Sequence, residues 1–341
     1  MNKKTTRATP RRYTKLIGAA SAVAALVAFG SPATVNAATK ARTARTITTT
    51  STSTSPELFP NSFFDHSVQN QPVAANSGTL VSNLVQQTQA NNGHIGVNYR
   101  PIFTVPADQP LVPVTVASGC YPGFLSTLGN GVPIPAAAYN SNNSDNTIII
   151  SQPSTGRDWE LWRATQTNGL WSACWGGGLN ALTSSGVFPY PFGSSASGIS
   201  YLATTITEDD VASGHINHAI PLQIKTCNGF TAPADRTDCG SNPGTPPEGT
   251  WFRMPQSTPM PAGLTPFGQM VFRSLQQYGA VVTDRAGAVM TEAENTNDWA
   301  LAGHTGTDPI TTASAGQPEW LVLNGTPWSQ LQVIRPPSAL G

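Results

Sequence analysis

Asp158-Trp159-Glu160-Leu161-Trp162-Arg163 sets bulky apolar residues among charges in a two-residue rhythm. On a strand that rhythm sends Asp158, Glu160 and Trp162 to one face and Trp159, Leu161 and Arg163 to the other. Short segments of the same kind recur along the chain, separated by Gly, Pro, Asn and Ser clusters. They are Val112 to Ala117, Thr147 to Ser151, Trp159 to Ala164, Ile216 to Lys225, Trp251 to Met254, Ala280 to Asp284, Val289 to Glu294 and Gln332 to Arg335. This spacing predicts an all-β sandwich or barrel. Two segments have helical phase instead: Ser77 to Thr88, through Leu80, Leu84 and Val85, and Pro266 to Tyr278, through Phe267, Val271, Leu275 and Tyr278. The second starts behind Thr265 and stops at Gly279. Gly176-Gly177-Gly178 reads as a bend or bulge.

With 11% charged residues, 31 Gly and 29 Pro in 341 residues, a coiled coil and a helical bundle are disfavoured, and no glycine period supports a collagen. The N-terminus has a basic stretch through Lys15, an apolar run from Leu16 to Phe29 and the small tripeptide Val35-Asn36-Ala37, which predicts a signal peptide over residues 1–37. The apolar run is short for the roughly 20 residues of a membrane anchor, so no membrane association is expected after cleavage. Arg11-Arg12 leaves Sec and twin-arginine export both open. Residues 38–56 form a Thr/Ser-rich linker too poor in apolar groups to fold, and 57–341 read as one extracellular domain, expected to be a monomer. Without the six basic residues of the leader, twelve basic groups face eighteen acidic ones, which makes nucleic acid a poor partner.

Four cysteines in an exported chain predict two disulfides, with three connectivities. Cys227 and Cys239 flank a loop that a bond closes easily, leaving Cys120 for Cys174. The spacing lacks the close cysteine pairs of a zinc site, and neither a metal nor a cofactor is assigned.

Several motifs in one order carry a resemblance. They include Gln152-Pro153-Ser154-Thr155, Trp159-Glu160-Leu161-Trp162, Trp175-Gly176-Gly177, residues 193–198 (GSSASG) and residues 212–219 (ASGHINHA). Arg236-Thr237-Asp238, residues 247–253 (PEGTWFR) and residues 278–284 (YGAVVTD) continue the series. Together they resemble a family of exported actinobacterial proteins that brings no named activity. The resemblance implies a β-rich extracellular domain of jelly-roll or lectin-like sandwich kind. The chain departs from the family pattern at Thr147, where Asp-x-His is expected, and at Asn295, where an acid is expected.

A carboxylate beside an indole on a sheet face suits a sugar: the indole covers the apolar face of a pyranose and the carboxylate meets its hydroxyls or its glycosidic oxygen. Glu160 is therefore a candidate catalytic acid, with Trp162 and Asp158 binding substrate; the competing reading makes both tryptophans core. His218 falls in phase with Ile220, Leu222 and Ile224, either as a hydrogen-bonded core residue or as a general base in a groove. Asp238 and Glu248 complete the catalytic candidates. Arg236 and Arg253 either clamp an acidic polysaccharide or pair with neighbouring acids. Glu292 and Glu294 share a strand face and form a weaker acid pair or calcium candidate. No Gly-x-Ser-x-Gly elbow or nucleotide fingerprint is present in its required context. These residues together predict action on extracellular or cell-wall polysaccharide, as a glycoside hydrolase. The alternatives are a polysaccharide lyase or a non-catalytic glycan-binding, envelope-associated module.

Overall fold

A computed structural model describes residues 57–335 apart from Asn142, so the expected leader and linker lie outside the described residues. The strands are β1 (Gly96–Arg100), β2 (Ile102–Thr104), β3 (Val114–Val116), β4 (Ile148–Gln152), β5 (Arg157–Trp162), β6 (Thr165–Thr167) and β7 (Leu170–Ala173). They continue with β8 (Trp175–Asn180), β9 (Ile220–Ile224), β10 (Trp251–Arg253), β11 (Ala280–Arg285), β12 (Met290–Glu294) and β13 (Gln332–Ile334). The helices are α1 (Ser77–Thr88), α2 (Glu208–Ser213), α3 (Pro266–Gln277), α4 (Asp298–Leu301) and α5 (Pro309–Ala313).

The strands form three sheets, in the orders β1-β12-β9-β11-β10-β13, β2-β4-β5-β8 and β3-β7-β6. The β-rich expectation holds at this level. The pairing is mixed, with β1–β12, β9–β11, β2–β4 and β3–β7 parallel, whereas a jelly roll is built from antiparallel strands. Parallel neighbours need crossover connections, and α3 supplies part of the one between β9 and β11. Leu80 and Leu84 of α1, and Phe267, Val271 and Leu275 of α3, pack in one core with Val97, Ile220, Leu222 and Val282 of the first sheet. The Thr265 hydroxyl accepts the Gly268 N–H at 2.9 Å and caps α3, as its sequence predicts. Gly279 turns the chain at φ +82°, where a Cβ would stand 2.4 Å from the Phe252 carbonyl.

The second sheet forms the wall of the site. In β5, Trp159 and Leu161 join a core with Ile148, Ile150, Phe124 and Trp171, while Asp158 and Glu160 turn to the polar side. The predicted alternation is therefore found. The glycine run is not a bend: it lies inside β8, paired with β5 from Arg157↔Asn180 to Trp162↔Trp175. A Cβ on Gly177 would stand 2.9 Å from the Gly193 nitrogen, and one on Gly178 2.7 Å from the Thr127 carbonyl. The glycines let other backbone lie directly on the sheet.

Candidate functional site

Across the β5–β8 ladder, Trp162 and Trp175 stand directly opposite each other. Both line a cleft of about 550 Å³ with Tyr121, Asp145, Ser194, Arg236, Asp238, Asp284 and Arg285. Disulfides join Cys120 to Cys174 and Cys227 to Cys239, the pairing favoured by the spacing. The first brings Tyr121 to Trp175, with ring centroids 5.7 Å apart. The Trp162 indole N–H donates to Asp145 Oδ1 at 3.2 Å, and the Arg163 guanidinium lies 4.5 Å from the indole centroid. A hollow of about 490 Å³ between α2, α3 and α5 is lined largely by apolar groups such as Val211, Met270 and Trp299 and has no carboxylate.

Asp284, at the end of β11, is the acid that the candidate reading missed, although it closes the YGAVVTD motif. Its Oδ2 accepts the Tyr201 hydroxyl at 2.7 Å and the Ala196 N–H at 3.2 Å, and its Oδ1 accepts the Arg285 N–H at 2.7 Å. Burial pushes the carboxyl up to about 6, against the lowering effect of Tyr201 and Arg100. Arg100 is buried behind it, 3.9 Å over the Tyr201 ring, with Nε 2.6 Å from Glu292 and Nη2 3.6 Å from Asp145. Thr147 accepts from Arg100 Nη1 at 2.6 Å.

Glu160 lies beneath the cleft, fully buried, and is not one of its lining residues. Its Oε2 accepts from Ser194, and its Oε1 from the Ser200 hydroxyl at 2.9 Å and the Leu202 N–H at 3.2 Å. Ser200 also contacts Asp158 at 3.2 Å, yet it has one proton for two carboxyls. Burial and the Glu160 charge raise Asp158 well above the carboxylate range, so Asp158 carries the missing proton. Sequence phase located this face without showing that it is roofed by residues 193–202.

His218 is not on a strand, because β9 starts two residues later. Its carbonyl accepts from Ser274, its Nδ1 is 3.0 Å from the Ala219 carbonyl and its Nε2 3.2 Å from Asp210. Burial opposes protonation, but the Asp210 hydrogen bond and charge outweigh it and raise the imidazole. Arg236 lines the cleft with its guanidinium committed to the carbonyls of Phe192, Gly193 and Ser195. Arg253 is spent on the carbonyls of Val68, Gln69 and Gln71 and on Gln332, and the structure does not bring it to the cleft. Asp238 is at the rim, and Glu248 is buried behind it, pushed up to about 9 by burial and then by the Asp284 charge.

Glu292 faces a cation, but that cation is Arg100. Glu294 accepts the Glu208 N–H at 2.8 Å and is raised well above the carboxylate range, first by burial. Burial likewise brings Glu208 and Asp298 to about 7. Asp298 accepts from Tyr139 and Ile102, so these acids anchor backbone around α2 and α4. The chain matches no family model, no curated protein and no solved structure.

Proposed function

We propose that the cleft binds an extracellular or cell-wall polysaccharide and hydrolyses it, with Asp284 as the proton donor. One observation carries this reading: a single cleft combines three aromatic rings with Asp145 and Asp284, and Asp284 is held near 6. The rings offer apolar faces to a pyranose, and a carboxyl near 6 is protonated often enough at mildly acidic pH to donate to a glycosidic oxygen. Asp145, oriented by Trp162 and facing Arg100, supplies the second carboxylate that hydrolysis by water requires. In this reading the sheets act as a lectin-like scaffold, with rigid strands behind the site and loops at its rim. Two disulfides suit the oxidising setting of a secreted protein. The lyase alternative loses support because Arg236 and Arg253, its carboxylate clamps, are committed to backbone carbonyls.

The test is incubation of the protein with plant, fungal and actinobacterial wall polysaccharides, scored for binding and for new reducing ends. Asp284→Asn is expected to abolish cleavage and leave binding within about twofold, because the amide keeps the shape without the acid. Binding without new reducing ends makes the protein a glycan-binding module, and absence of both defeats the cleft reading.

A further inference from the structure

Glu248 is wholly buried behind the loop closed by Cys227 and Cys239, where Thr237 and Asp238 face it, and neither of its carboxyl oxygens has a partner that meets full hydrogen-bond geometry. A buried acid in that condition needs either a proton or a cation. A Glu248 oxygen, an Asp238 oxygen and the two cysteine sulfurs all lie within 4.8 Å of one another. The sulfurs are bonded to each other and offer no thiolate, which leaves the oxygens as donors. Two oxygens bound to one calcium ion at about 2.3–2.6 Å stand at most about 5 Å apart, so this span fits a single hard cation.

We propose that Asp238 and Glu248 hold a calcium ion at the rim of the cleft. Glu248 anchors it from inside, and Asp238, with a side chain 52% exposed, leaves the remaining positions open to water and to ligand oxygens in the cleft. Asp238 pairs with Arg285 at 3.8 Å, and both side chains are exposed, which makes that pair weak competition for a divalent ion. The cation at this loop is thus an oxygen-bound one, a chemistry that cysteine spacing alone does not reveal.

The test compares thermal melting in EDTA and in about 5 mM calcium chloride for the wild type, Glu248→Gln and Asp238→Asn. The wild type is expected to gain about 2–5 °C with calcium and both variants almost nothing. Terbium luminescence sensitised by tryptophan is expected to appear in the wild type, fall on adding calcium and be absent in Glu248→Gln. Identical wild-type melting with and without calcium, or an equal gain in Glu248→Gln, overturns the site. Should Glu248→Gln fail to fold, the exposed Asp238→Asn still decides between these outcomes. No glycan enters the measurement, so its result is separate from that of the cleft reading.

Discussion

The Ser194 hydroxyl donates to Glu160 Oε2 at 2.5 Å, joining a fully buried carboxylate to a side chain that lines the cleft. Glu160 therefore acts on the cleft through the loop above it. With Asp158 as the protonated member of the pair, Asp158→Asn replaces a neutral acid by its isostere and is expected to cost within about 1 kcal/mol. Glu160→Gln turns an acceptor into a donor against a hydroxyl or N–H and is expected to cost about 1–3 kcal/mol. Urea unfolding of both variants checks the assignment, and equal losses would show that the proton is not on Asp158.

Acid pH is expected to favour the folded domain. Asp284 at about 6, and Glu208 and Asp298 at about 7, all stand above their unfolded values. Below the unfolded carboxylate range both states are protonated. As pH rises through 4 to 7 the unfolded chain gives up protons that the native one keeps, so stability falls. His218, also raised, adds to the same trend by losing its stabilising proton as pH rises through its folded value. Melting temperatures at pH 5 and pH 8 test this, and a higher value at pH 8 would contradict it.

The two disulfides close loops of unequal length, with sequence separations of 54 and 12. On chain entropy, replacing Cys120 and Cys174 by serine is expected to cost about 4 kcal/mol, and replacing Cys227 and Cys239 about 3 kcal/mol. Both replacements are expected to weaken glycan binding, the first because its bond holds Tyr121 beside Trp175 and the second because its loop carries Arg236 and Asp238 to the cleft. Denaturant curves and binding measurements on the two double variants separate these effects.

Gly177→Ala places a methyl 2.9 Å from the Gly193 nitrogen and 3.0 Å from the Phe188 ring. The loop bearing Ser194 has to lift from β8, at an expected cost of about 1–3 kcal/mol. Gly287→Ala, with open space around the site of its Cβ, is the control and should melt close to wild type.

Local signals in the chain were legible. The leucine phase of residues 77–88 and the Thr265-to-Gly279 frame mark α1 and α3 closely, because caps and apolar periodicity act within a few residues. The alternation around Trp159 is equally local. What sequence could not show is the depth at which a face lies: Glu160 and Trp162 share a phase, yet one is roofed by residues from 193 onward and the other opens to the cleft. Arg100 was missed because its partners, Glu292 and Thr147, are far away in sequence. The parallel pairings depend on contacts of the same long range. Asp284 went unrecognised as a candidate because its perturbation comes from burial beneath residues distant in sequence, such as Tyr201 and Ala196, not from its neighbours in the chain.

The buried acids also alter how the molecule migrates. Residues 38–341 carry a formal charge of minus six, but burial raises Asp158 and Glu294 well above the carboxylate range and, without calcium, Glu248 to about 9, which reduces the native anionic charge. Native material should therefore leave an anion exchanger earlier, and run more slowly toward the anode, than its formula implies. Denaturing it in an unbuffered neutral solution should acidify the solution as the buried carboxyls release their protons, a change readable with a glass electrode.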